Sequence, residues 1–387
     1  MNASTKAPPG GGLGLVMGGG GARAAYQVGF LQAVARRRPD LRIPYLTGVS
    51  AGAINAAHLA AHHGTFGQSV EELGNLWSRL RIEDVFRVDA PSLVWNILQW
   101  AGRLIGGGNA PTRTRGLVDT EPLRRYLTEV LHAVDGELTG VDYNIERGRL
   151  RAIALSTSSY TTGQSVTWVQ GSDIQEWTRP LRTSRHTRLT VDHVMASSAL
   201  PLLFPAVKLS GAWYGDGGMR LAAPLSPALH LGASRVLAIS TRYGKSAAEE
   251  EDPQVTGYPP PAQIAGVMMN AVFLDMLDHD ALRAERLNRL LHKLEPEERE
   301  GLRPVRLLVT RPSRDLGRMA SRFEPQLPRG FRFLTRGLGT RETKSPDFLS
   351  LVLFQPDYIG ALMDVGESDA EDRMDEILGF LDEEPSA

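Results

Sequence analysis

Three glycine-rich segments hold the residues of this chain best suited to covalent chemistry. The first, Gly48-Val49-Ser50-Ala51-Gly52, fits G-x-S-x-G, the pattern of a serine carried on a sharp strand-to-helix turn with its hydroxyl clear of the sheet. A Cβ at Gly48 or Gly52 would meet the neighbouring strand or helix in so tight a bend. A serine at a helix N-terminus also has the positive end of the dipole beside any anion that forms there. A glycine-rich turn without chemistry fits the same pattern, and with 40 glycines in 387 residues the motif alone is weak. The strand-like run before it and the helix-forming run after it give it weight.

The second segment is Gly18-Gly19-Gly20-Gly21-Ala22-Arg23. A glycine loop between strand and helix leaves backbone N–H groups unpaired and aimed into its concavity, where they hold an anion. That anion is either the oxyanion of a tetrahedral intermediate or a ligand phosphate, and a purely structural loop is the third reading. Gly19, Gly21 and Ala24 also match the dinucleotide fingerprint, with Asp40 at about the right distance. Against this, Asp40 precedes the expected second strand, whereas a ribose-binding acid stands at that strand's C-terminal end.

The third segment, Tyr214-Gly215-Asp216-Gly217-Gly218, ends an expected strand in a glycine turn that presents a carboxylate, although Asp-Gly is also an ordinary hairpin turn. A serine nucleophile needs a base, usually histidine. Of the nine histidines, none stands in a recognisable local signature. His58, His62 and His63 lie on one alanine-rich segment and read as packed or solvent-facing. His62 and His63 are adjacent and cannot share a helix face as metal ligands at i and i+4 do, so no metal is expected. The chain has no cysteine, which removes disulfides, thiolate metal sites and cysteine catalysis together.

These residues must be positioned by an α/β framework. Leu13 to Met17 reads as a strand, Ala22 to Arg37 as a helix, Tyr45 to Val49 as a second strand and Ala51 to His63 as a second helix. Helices are expected over 65–80 and 119–132, strands over Leu150 to Leu155 and Ser165 to Val169, and a turn over Ser158 to Gly163. A small-residue helix near Asp192 to Ala199 precedes strands at Ala206 to Leu209, Ala212 to Tyr214 and Arg235 to Ser240. Lys245 to Pro261 reads as a linker or surface loop. A helix from Ala262 to about Leu294, a strand at Pro304 to Thr310 and C-terminal helices follow. The expected organisation is a leader over 1–12, a catalytic α/β domain over 13–245 and a mainly helical extension over 246–387.

With 43 basic and 44 acidic residues the net charge is −1, so no nucleic-acid partner is expected. The first twelve residues lack the apolar core of a signal peptide, and no stretch reaches the roughly 18 to 20 apolar residues of a spanning helix. The expectation is a soluble cytoplasmic protein able to lie peripherally on a membrane.

Taken together, the glycine loop, G-x-S-x-G about thirty residues later and D-G-G late in the same α/β region resemble the patatin-like phospholipases, over about residues 13 to 242. The resemblance implies a patatin-like α/β sheet with flanking helices and a phospholipid or other lipid ester as substrate, with no cofactor. It places the nucleophile on Ser50, a base acting without histidine on Asp216 and the oxyanion hole on Gly19, Gly20 and Gly21. Arg23, Gly48, Gly52, Gly217 and Gly218 fall in supporting places. Ala196 to Pro205 also resembles the family. Ala24 and Ala222 depart from it, standing where glycine and asparagine are common. The rival enzyme is an α/β-hydrolase using Ser50, Asp216 and His230 or His279, but its elbow follows several strands, not the first. A catalytically silent lipid-binding module on the same fold is the rival from another class.

Two further segments invite lipid. Arg179, Arg182, Arg185 and Arg188 form a basic cluster that reads as a solvated loop or as a phosphate-attracting one. Residues 91–105, PSLVWNILQWAGRLI, pattern as an amphipathic helix with a narrow polar stripe of Asn96, Gln99 and Arg103. It is read as a cover or lipid contact, with a core helix as the alternative.

Overall fold

The computed structural model describes residues 11–87, 116–251, 255, 257–273, 276–327, 331–332, 340 and 345–382. The segment 91–105 lies outside the described residues. The strands are β1 (Leu13–Met17), β2 (Tyr45–Val49), β3 (Ala152–Ser159), β4 (Ser165–Gly171), β5 (Thr178–Arg179), β6 (Arg182–His186), β7 (Val207–Leu209), β8 (Ala212–Asp216), β9 (Arg235–Ile239) and β10 (Arg306–Thr310). They form one mixed sheet in the order β10-β9-β1-β2-β3-β4-β6-β5, with β8 on the end of β3 and β7 on β8. The run from β10 to β3 is parallel. Parallel strands are covered on both faces, and their side chains alternate between the two layers. Leu15 and Met17 of β1 join Ile153 and Leu155 of β3 in one core, while Val16 joins Ala152 and Ala154 in the other.

The first face carries α1 (Ala25–Arg37), α2 (Ala51–Ala61) and α3 (Phe66–Arg79). A capping box formed by Thr65 and Gln68 starts α3 and satisfies two otherwise orphaned amides. The second face is covered by the helices Ser226–Leu231 and Met276–Leu291. Residues beyond 246 contribute β10 to the sheet and a helix, Pro356–Asp372, to the first face. That helix crosses α1 at backbone contact. A Cβ on Gly29 would lie 1.9 Å from the Met363 carbonyl oxygen, and one on Gly366 would lie 2.1 Å from that of Tyr26.

Several elements differ from the sequence expectation. A 3-10 turn over Gly21–Ala24 precedes α1, and β3 runs through Ser159 into the expected turn. Helices at Thr139–Glu146 and Ser226–Leu231 were not expected; each is short enough to form only with tertiary support. Arg179, Arg182 and Arg185 of the arginine cluster lie on a β5–β6 hairpin at the sheet edge, and Arg188, two residues past β6, meets Glu137 at 3.5 Å. Within the expected linker, Ala247–Glu250 is helical behind a Ser246 and Glu249 capping box.

Candidate active site

Strand register creates the site. Val49, the last residue of β2, pairs with Ser156 of β3, and the next β3 residue, Thr157, pairs with Asp216 of β8. The chain leaves the sheet at Ser50 to enter α2, and β8 enters the vacated lane antiparallel to β3. Ser50 and Asp216 therefore meet although they are far apart in sequence. Ser50 sits at φ 56°, ψ −133°, a conformation that a non-glycine residue holds only when its surroundings enforce it. The enforcement is visible. The Ser50 amide donates to Ser197 Oγ at 3.1 Å, Ser197 Oγ donates to the Ser156 carbonyl at 2.7 Å, and Ser198 Oγ donates to the Ser50 carbonyl at 3.0 Å. A Cβ on Gly52 would lie 2.3 Å from the Met17 carbonyl oxygen, and one on Gly48 2.5 Å from that of Gly52.

Asp216 is wholly buried. Its Oδ1 accepts from the Gly218 amide at 2.9 Å, while its Oδ2 is buried without a hydrogen-bond partner. Burial pushes its pKa up to about 7, offset in part by the Ser50 hydroxyl and the Gly218 amide. The hydroxyl is thus near enough to act on the carboxyl, in a resting geometry looser than a formed hydrogen bond to Oδ2. Gly217 is required because a Cβ there would lie 2.1 Å from the Ser156 carbonyl oxygen.

The glycine loop closes the other side. A Cβ on Gly19 would approach Ser50 Cβ at 3.0 Å, and Gly20 and Gly21 have φ of 152° and 54°. Among the described residues no backbone carbonyl accepts from the amides of Gly19, Gly20 or Gly21. Thr241 Oγ1 donates to the Gly19 carbonyl at 2.5 Å, and Gln27 Nε2 donates to the Gly18 carbonyl at 2.9 Å. Behind Gln27, Asn55 Nδ2 donates to its Oε1 at 3.0 Å and Trp77 Nε1 donates to Asn55 Oδ1 at 2.8 Å. This satisfied buried network rigidifies the loop.

Arg23 turns away from Ser50. Its Nε donates to Ser350 Oγ at 2.7 Å and its guanidinium pairs with the Asp347 carboxylate, both on the helix Asp347–Val352. The Leu351 carbonyl of that helix lies over Gly21, 2.0 Å from where a Cβ would stand. Sequence reading missed Ser197, Ser198, Thr241, Asp347 and Ser350. Only the adjacent serines in the small-residue helix Val191–Ser197 and just after it carried any signal.

None of the nine histidines hydrogen-bonds to Ser50 or Asp216. Buried His58 is engaged with the Ser69 carbonyl at 3.1 Å, His193 with Thr190 Oγ1 at 2.8 Å, and His230 stacks on Trp177. His279 lies on the helix Met276–Leu291. Asp40 lines a cavity with Leu41, Asn144 and Leu150, near the start of β2 and at the opposite end of the sheet from the glycine loop. That placing removes the acid a dinucleotide site would need. Among the described residues no group of three or more His, Cys, Asp and Glu residues could hold a metal ion.

Two cavities flank Ser50 and the loop. One is walled by Ser50, Leu73, Trp77, Leu123, Leu200 and Phe204 and is almost wholly apolar. The other lies against Gly18, Gly19, Gly218, Thr241 and Leu277 and is more polar.

A mixed sheet sandwiched by helices, with a serine elbow, a glycine loop and a buried aspartate at the strand ends, defines an α/β protein of the patatin kind. The model of the patatin-like phospholipase family matches residues 15–229, and the chain belongs to that family. Comparison with curated proteins gives no match. Among solved structures the chain is similar to human GIVD cytosolic phospholipase A2, at 13% identity and a TM-score of 0.47 over 96% of this chain and 62% of that one. It is also similar to VipD from Legionella pneumophila, at 14% identity and a TM-score of 0.36 over 92% of this chain and 67% of that one. A third is the ExoU–SpcU complex of Pseudomonas aeruginosa, at 14% identity and 0.28 over 95% and 76%. The chain thus spans 62% of the length of the human phospholipase. No helix among the described residues is long and apolar enough to cross a membrane.

Proposed function

We propose that this chain is a lipid acyl hydrolase of the phospholipase A or lysophospholipase type, working through a Ser50–Asp216 dyad. The observation that carries the reading is the register that sets a strained, buried serine against a buried aspartate with a spare carboxylate oxygen, at the mouth of an apolar cavity. A carboxylate is a weak base for a hydroxyl in water, and a pKa near 7 makes Asp216 a better one. In acylation the Ser50 proton passes to Asp216 as Oγ bonds to the ester carbonyl carbon, and the carbonyl π electrons move onto oxygen. The amides of Gly19, Gly20 and Gly21 hold that oxyanion. Collapse breaks the carbon–oxygen bond to the alcohol or lysolipid, which takes the proton from Asp216. Water, deprotonated by Asp216, then attacks the acyl carbon, and collapse breaks its bond to Ser50 Oγ, which takes the proton back from Asp216 as the fatty acid leaves.

The apolar lining of the cavity suits an acyl chain. The scheme calls for no cofactor. In the same reading 13–245 is the catalytic unit, 246–387 an extension that buttresses the glycine loop, and the protein is cytoplasmic, lying peripherally on membranes. A fluorophosphonate probe tests it. The folded parent chain labels on Ser50 and Ser50→Ala does not, and a lipid-ester screen releases fatty acid only with the parent. A folded parent that neither labels nor releases fatty acid would leave the silent lipid-binding module as the better reading.

A further inference from the structure

The helix Pro261–Phe273, PAQIAGVMMNAVF, has no ionisable residue. Its outward side is its apolar one. Ile264 is 44% exposed, Val267 56%, Met268 64% and Val272 36%, with Ala271 exposed among them. Their spacing of three and four residues makes one continuous stripe. The inward side holds the small residues Ala262 and Gly266, and Asn270, whose Nδ2 donates to Asp347 Oδ2 at 2.7 Å. A helix packed for water has the reverse arrangement, and a continuous apolar face left outside marks a binding surface. Just before the helix, Tyr258 is 90% exposed.

The stripe leads to the glycine-loop flank of the site. Val272, at its end, lines the cavity formed with Met276, Leu277, Gly18, Gly19 and Gly218, next to the loop that faces Ser50. A second copy of the chain seated on the stripe would obstruct that opening, whereas a lipid surface would feed it. We propose that Ile264, Val267, Met268 and Ala271 form a docking face for the acyl region of a phospholipid surface, holding the glycine-loop flank of the site against its substrate. The proposal rests on the lipid hydrolase reading for its purpose, though not for the binding itself. With no charge on the helix, docking is independent of anionic lipid and of salt, unlike binding through the arginines of the β5–β6 hairpin.

The test compares the parent with a Val267→Glu, Met268→Glu double variant on phosphatidylcholine vesicles at low and high salt. A water-soluble short-chain ester, the melting temperature and the mass in solution are followed in parallel. The parent is expected to co-sediment equally at both salts. The variant is expected to lose roughly tenfold or more in vesicle binding and vesicle hydrolysis, with soluble-ester turnover and melting temperature retained. Unchanged vesicle binding by the variant overturns the proposal. So does a variant that falls from dimer to monomer, which makes the face a contact between copies, or one that melts much lower, which makes it a core surface. If the parent binds vesicles and the variant does not, yet neither cleaves any ester, docking stands and the hydrolase reading fails.

Discussion

Two charged side chains are buried beside the glycine loop, and their surroundings differ. Arg23, 3% exposed, is met by Ser350 Oγ at 2.7 Å and by the Asp347 carboxylate, so its charge is answered. Asp216, 0% exposed, has one amide at 2.9 Å, a nearby hydroxyl and an oxygen with no partner. A buried charge that is paired and hydrogen-bonded is a strut whose loss is costly. One left short of partners has its proton affinity raised, and such groups gather where chemistry is done. The same loop is thus supported on one side by a satisfied ion pair and faced on the other by an unsatisfied acid.

The sharpest way to break this contrast is to remove each group and read activity and stability separately. Ser50→Ala and Asp216→Asn are expected to lower ester hydrolysis by roughly 10⁴-fold or more, while a combined His193, His230 and His279 replacement stays within about tenfold of the parent. A folded histidine variant that loses more than about a hundredfold would move the base to histidine. On the other side of the loop, Asp347→Ala leaves Arg23 buried without its counter-charge and is expected to lose about 3 kcal/mol of stability in denaturant unfolding. Arg23→Met combined with Asp347→Leu should recover most of it. If Asp347→Ala instead abolishes turnover without loss of stability, the strut reading fails.

Gly20→Val should reduce kcat by roughly a hundredfold, because a β-branched residue cannot hold the loop's φ and the amides lose their aim. A Cβ at Gly20 would also press on the Thr241 side chain at 2.4 Å, but Gly21→Val is the less clean probe, since its Cβ meets the backbone carbonyl of Leu351 at 2.0 Å and folding suffers more. The pH dependence is the subtlest test. With Asp216 titrating at about 7, kcat/KM should rise about tenfold per pH unit below 7 and level off above it. Stability runs the other way. The folded pKa lies above the ordinary 3.8, so the folded state holds a proton the unfolded chain has lost, and stability falls as pH rises from about 4 through 7. Asp216→Asn lacks that term and should be more stable than the parent above pH 7 by a few kcal/mol at most, read as a difference in unfolding midpoint at pH 5 and 8. An equal difference at both pH values would show that Asp216 carries no such shift.

Much of the fold near the site was legible because its signals are local. β1, β2, α1 and α2 follow from apolar runs, alanine-rich segments and glycines in the stretch from Leu13 to Ala61. β8 was legible as a strand, but no local pattern says that it lies in the lane β2 vacates beside β3. The helix Thr139–Glu146 and the hairpin of β5 and β6 escaped because short elements borrow stability from tertiary contacts and not from propensity. Ala262 to about Leu294 read as one helical span, and the side of Pro261–Phe273 that would face solvent was not readable. A stripe of Ile, Val and Met looks the same whether it is covered or bare.

Residue type and spacing alone determined which groups were available for chemistry: a serine between two glycines at a strand end, a run of four glycines before a helix, and Asp216 ahead of two more. They did so because backbone conformations that exclude a Cβ leave their mark directly in composition. The tertiary structure decided which of these groups meet, since the pairing of Asp216 with Thr157, next to that of Val49 with Ser156, brings Asp216 to Ser50 from across most of the domain. It also decided Arg23's role. Asp347 and Ser350 lie more than three hundred residues downstream, and a long-range ion pair leaves no periodic trace in the chain that forms it.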